Sequence, residues 1–120
     1  MTTKGIDVLL LETHNFGKSV AFWKGLGYEL DFETDHHSGQ LRHPSGGPRL
    51  FIAERPPEHV LKIVPGLSVE SPAAFVPPTS GTVQRPFIEE HWGAMQMLLA
   101  DPDGREVAIE GPLAGKTVDQ

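Results

Sequence analysis

The sequence predicts an α+β fold made of two βαβββ modules, the helix of the second being short or missing. Three observations predict it. A turn-and-strand block occurs twice, apolar runs of strand length recur between Gly/Pro turns, and one stretch of helical periodicity lies near the N-terminus. The 120 residues suit a single domain. Module 1 covers about 5–57, module 2 about 60–112, and residues 113–120 form a loose tail.

Ile6 to Leu11 is a short leucine and β-branched run that reads as a buried strand. Asn15 is a good N-cap for a helix beginning at Phe16 or Gly17. Val20, Trp23 and Leu26 recur at helical spacing and are expected to face a sheet, with Gly27 as a left-handed C-cap. A strand follows over Tyr28 to Glu33, then an extended stretch holding His36, His37 and Leu41, then a turn at Pro44-Ser45-Gly46-Gly47-Pro48. Arg49 to Glu54 is another strand, and Arg55-Pro56-Pro57 closes the first module.

In the second half, Leu61 to Val69 is an apolar run that Pro65-Gly66 should interrupt. Ser71-Pro72 starts a helix, but Pro77-Pro78 limits it to about one turn, because proline disfavours helix at its own position and the one before. Strands are expected over Val83 to Ile88, Ala94 to Leu99 and Arg105 to Glu110.

The repeat ties the halves together. His43-Pro44-Ser45-Gly46 precedes Arg49 to Glu54 much as Asp101-Pro102-Asp103-Gly104 precedes Arg105 to Glu110, apart from the inserted Gly47-Pro48. This alignment matches Leu41 with Leu99, Ile52 with Ala108 and Glu54 with Glu110. Asp101 and Asp103 are expected to shape their turn rather than act as paired acids.

Composition narrows the function. Apolar residues make up 38% and charged residues 22%, ordinary for a globular domain. Without cysteine there is no disulfide, thiolate zinc site or cysteine nucleophile. A net charge of −6 repels phosphate backbones, so nucleic acid is not expected as a partner. Met1 to Asp7 lacks a signal-peptide pattern and the longest apolar run is far too short to span a bilayer, so a cytoplasmic location without membrane contact is expected. A chain this short buries only about two-thirds of its unfolded surface, so pairing with a second copy would help.

Asn15-Phe16, Val20-Ala21-Phe22-Trp23 and Leu26-Gly27-Tyr28-Glu29-Leu30, followed by His91-Trp92-Gly93 and Asp101-Pro102-Asp103-Gly104, resemble the vicinal-oxygen-chelate family of glyoxalases, bleomycin-resistance proteins and extradiol dioxygenases. The resemblance runs from about Gly5 to Gly111 and is closest in character to the bleomycin-resistance-type binding proteins. It implies a cup-shaped mixed sheet and a homodimer with sites in its clefts. The short second helix departs from the family, which has about four turns there.

The family's enzymes hold a divalent metal with one side chain from the first and last strand of each module. By resemblance these positions fall at Val8, Ile52, Val64 and Ala108, all apolar and unable to bind a cation. No metal, cofactor or catalytic residue is therefore expected, and an enzyme is disfavoured. An improvised site from His36 or His37 with His91 and a carboxylate is the alternative, and Glu54 and Glu110 read as rim residues. His14 and His59 are expected to be solvated.

An apolar cup without a metal points to a non-catalytic dimeric binding protein for an aromatic or hydrophobic small molecule, which the resemblance extends to antibiotic sequestration. The expected lining is Trp92, Phe87, Phe32, Phe51, Met95 and Met97, with His36, His37 and Glu90 as polar anchors. Met95 and Met97 serve equally well as core. The competing readings are a metal-dependent glyoxalase-type lyase, isomerase or thiol-transferase, and an interaction module with a filled cup.

Overall fold

The computed structural model describes residues 2–113. Its elements are β1 (Ile6–Thr13), α1 (Phe16–Lys24), β2 (Glu29–Glu33), β3 (Ser38–Arg42), β4 (Arg49–Glu54), β5 (Ile63–Ser68), a one-turn 3-10 helix (Pro72–Ala74), β6 (Thr82–Glu89), β7 (Ala94–Ala100) and β8 (Glu106–Pro112). The described residues form two compact units, one spanning Asp7–Ile63 and the other built from residues 2–6 and 64–113. This is the α+β, paired βαβββ architecture the repeat predicts. Among the described residues, no helix is long and apolar enough to cross a membrane.

In the first unit the strand order is β2-β3-β4-β1. The β1–β4 pair is parallel and the others are antiparallel. The Asn15 side chain accepts the Lys18 N–H at 2.9 Å, capping α1, and the Glu54 carboxylate accepts the Phe16 N–H at 3.2 Å. Phe16 and Val20 then bury against Leu41, Leu50 and Ile52. The helix ends at Lys24 with Gly25 as its cap, so Leu26 lies beyond it and is exposed rather than facing the sheet. Gly27 does take the left-handed conformation, with φ 99°.

In the second unit the order is β5-β8-β7-β6, with β5 and β8 parallel. Its core joins Val69, Met97, Leu99 and Ile109, flanked by Phe75 and Phe87. Pro65-Gly66 does not break β5. Pairing with β8 begins at Gly66, so the N–H that Pro65 lacks is not needed there. The short helix sits directly on the sheet at Gly111, where an added Cβ would lie 2.8 Å from Pro72 and 2.9 Å from Val69. The tail beyond residue 113 lies outside the described residues.

Candidate ligand-binding faces

Side chains alternate across a strand, so pairing register assigns each strand residue to the core face or the open face of its own unit. Leu11 pairs with Ile52 and Leu67 with Ile109, and both isoleucines are core residues. Ile52 and Ile109 are therefore the equivalent positions, Phe51 matches Ala108, Ala53 matches Glu110, and Glu54 matches Gly111. This corrects the sequence alignment of the last strands by one residue. The slip arose at the turn, where Arg49 opens β4 but Glu106, not Arg105, opens β8. Leu41 with Leu99 remains matched, both being core.

That register bears on the metal question. Val8 and Arg49 are partners on the open face of the first unit, while Ile52 is fully buried under α1. The open-face residue in its place is Phe51. Val64 and Ala108 are buried hydrocarbons. None of these side chains fits a divalent ion, and among the described residues no three His, Asp or Glu side chains converge to hold one.

On the open face of the second unit a polar chain runs across three strands. Gln96 of β7 pairs with Glu110 of β8 and with Ile88 of β6. The Gln96 amide donates to Glu110 Oε2 at 3.3 Å, and Arg85 Nη2 donates to Gln96 Oε1 at 3.1 Å and to Glu90 Oε2 at 2.9 Å. The β6–β7 turn brings Trp92 to the head of this chain. Gly93 there has φ 86°, a conformation that side-chain-bearing residues rarely adopt, and its N–H donates to the Glu90 carbonyl. The Trp92 indole N–H donates to Glu110 Oε2 at 3.2 Å, its ring stands edge-on to His91 with centroids 4.9 Å apart, and the residue stays 51% exposed.

Trp92 and Glu90 are thus joined through Arg85, as members of one network. Phe87 and Met97 are not open-face residues. Phe87 packs edge-to-face on Phe75 at 6.2 Å and Met97 lies in the core. Met95 shares the strand face of Met97. Arg85, Gln96 and Glu110 were not selected as binding residues from sequence. Glu110 was visible from sequence as a rim residue, matched by the repeat to Glu54.

On the open face of the first unit Phe32 and Phe51 lie 6.4 Å apart with rings tilted by 54°, Phe32 being 48% exposed. Beside them Asp31 accepts from Gln40 at 3.0 Å and Arg42 at 2.9 Å, and Arg49 bridges Gln40 at 3.2 Å and Asp7 at 2.6 Å. The Gln40 hydrogen bond, with the Arg42 and Arg49 charges, outweighs partial desolvation and lowers the Asp31 pKa. His36 and His37 do not alternate across a strand. They sit in the β2–β3 turn, where His36 is 84% exposed and meets Asp35 at 3.1 Å, and His37 adopts φ 56°. The turn leaves both residues exposed.

Elsewhere Asp101 Oδ1 accepts the Asp103 and Arg105 N–H groups at 2.9 and 2.8 Å, shaping its turn as expected. His59 departs from expectation: its ring bonds Glu12 at 2.9 Å.

No family model matches the sequence, and no curated protein matches it. Solved structures do match its fold. A glyoxalase/bleomycin resistance protein/dioxygenase superfamily member from Vibrio splendidus 12B01 superposes with TM-score 0.65 at 16% identity, over 87% of this chain and 96% of that one. A structure described as an NAD-dependent benzaldehyde dehydrogenase from Legionella pneumophila gives TM-score 0.63 at 15% identity, over 88% and 97%. The halotolerant catechol dioxygenase BphC gives TM-score 0.63 at 15% identity, with 97% of this chain matching 43% of that one. Such different descriptions on one architecture leave activity to the site residues. What register, core and these likenesses establish together is that the chain has the paired βαβββ fold of the glyoxalase/bleomycin resistance protein/dioxygenase superfamily.

Proposed function

We propose that this protein binds an aromatic or hydrophobic small molecule without catalysing its conversion. The observation that carries the reading is Trp92, a half-exposed indole fixed by a hydrogen bond rather than packed into a core. A large ring held open to solvent at the end of a hydrogen-bonded polar chain has the form of a stacking platform with polar groups beside it. The Phe32–Phe51 pair, with Phe32 exposed and Phe51 half-buried, is flanked by the Asp31–Arg42 and Arg49–Asp7 ion pairs and offers a second aromatic surface on the first unit. Stacking gains about 0.5–1.5 kcal/mol per ring pair beyond burial, so two such contacts with burial support micromolar binding, about −8 kcal/mol.

The hydrocarbons at Val8, Phe51, Val64 and Ala108 support binding that needs no metal, and the small chain supports a homodimer. Sequestration of an antibiotic-like compound in the cytoplasm is the role this reading favours. Titrating purified protein with a panel of planar aromatic compounds in the presence of a chelator tests it. Saturable quenching of tryptophan emission that Trp92→Phe abolishes is expected. A panel that leaves the emission of a confirmed dimer unchanged overturns the proposal.

A further inference from the structure

Independently of that reading, the Glu12 carboxylate is buried at the end of β1, its side chain only 3% exposed, and every group bonded to it comes from residues 55–63. Arg55 Nε donates to Oε2 at 3.0 Å, and His59 Nε2 and the Lys62 N–H donate to Oε1 at 2.9 and 3.2 Å. The backbone adds to this: the Glu12 N–H reaches the Lys62 carbonyl at 3.2 Å, the Arg55 N–H reaches the Thr13 carbonyl at 2.7 Å, and the His14 ring donates to the His59 carbonyl at 2.9 Å. The end of this segment forms one wall of a cavity of about 540 Å³ lined by Leu11, Trp23, Ile52, Leu61 and Ile63, with Thr13 and Ser19 at its polar side. Val60, Leu61 and Ile63 are exposed, so apolar packing does little to hold the segment down.

We propose that residues 55–63 are a strap fastened by Glu12, and that releasing the strap removes one wall of the cavity beside α1. Glu12 is the common acceptor for three donors from this one segment.

The test uses the Trp92→Phe protein, in which Trp23 on the cavity wall is the one remaining tryptophan. Adding Glu12→Gln weakens three charge-assisted bonds at once. Tryptic cleavage after Lys62 should then be at least about tenfold faster, the scale of losing one such bond. Cleavage after Arg55 is blocked by Pro56, so the new cut reports the strap. Trp23 should also become more accessible to acrylamide while the far-UV spectrum and cooperative melting persist. A folded Glu12→Gln protein with parental cleavage and quenching overturns the strap. Should that variant fail to fold, His59→Ala and His59→Gln decide: faster cleavage with alanine and near-parental cleavage with glutamine, which keeps an N–H donor, supports it, and parental rates in both overturn it.

Discussion

The Trp92 indole N–H donates to the Glu110 carboxylate at 3.2 Å, and the same oxygen accepts from Gln96, so the orientation of an exposed ring is set by a residue on the neighbouring strand β8. Glu110→Ala should leave the fold intact and weaken aromatic binding about two- to tenfold, the range for one hydrogen bond of this kind. The check is a fluorescence titration together with a melting curve. A variant that binds as tightly as the parent would show that Glu110 does not hold the ring for its ligand.

Removing the ring itself should cost more. Trp92→Ala should weaken binding of planar aromatics about tenfold or more, through lost stacking and lost burial, with stability changed by less than about 1 kcal/mol. Isothermal titration calorimetry measures the first and chemical denaturation the second. Equal losses in affinity and stability would make Trp92 a structural residue.

The corrected register predicts which neighbours in β4 matter for folding. Ile52→Ala should cost about 2–5 kcal/mol because it opens a void under α1, as should Ile109→Ala in the second core. Phe51→Ala, on the open face, should cost less than Ile52→Ala although the side chain is larger. Urea denaturation of the three variants settles the order, and a greater loss at Phe51 would reverse the faces assigned here.

Gly39 tests the close approach of β2 and α1 to β3. An added Cβ would fall 2.7 Å from the Phe32 carbonyl and 3.1 Å from the Phe16 ring. Gly39→Ala should destabilise by about 1–3 kcal/mol, as overpacking of a close contact does. A neutral substitution in a thermal melt would mean that the β2 backbone and the Phe16 ring both give way without cost.

The pH dependence follows from Glu12. Burial alone would raise its pKa, but hydrogen bonds from His59, Arg55 and Lys62 and the Arg55 charge together hold it below its ordinary value of 4.5. A carboxyl whose folded pKa is depressed contributes stability that is complete above 4.5 and is lost as pH falls through the lower folded value. The stability gap between the parent and Glu12→Gln should therefore be widest near neutral pH and shrink below 4.5. Urea midpoints measured across pH 7 to 3 give the answer, and a constant gap would contradict the sign.

Local chemistry was enough to read the two modules, the Asn15 cap, the one-turn second helix, the Asp101 turn and most strand positions. Proline geometry, capping and two-residue alternation act over a few positions and are written in the order of residues. Equivalence of the two halves needed more. A one-residue slip at the turn before Arg105 moved Ile52 and Glu54 to the wrong face, because alternation has a period of two and any odd shift exchanges core for solvent. Only the parallel pairs Leu11–Ile52 and Leu67–Ile109 resolved it.

The sequence by itself determined that this chain makes paired βαβββ units. The tertiary structure alone decided which aromatic rings are core and which are open, that Arg85, Gln96 and Glu110 form a chain beneath Trp92, and that Glu12 meets His59 across 47 positions. Those relationships depend on strand register and on contacts between segments distant in the chain, and neither composition nor spacing encodes which donor a buried carboxylate will find.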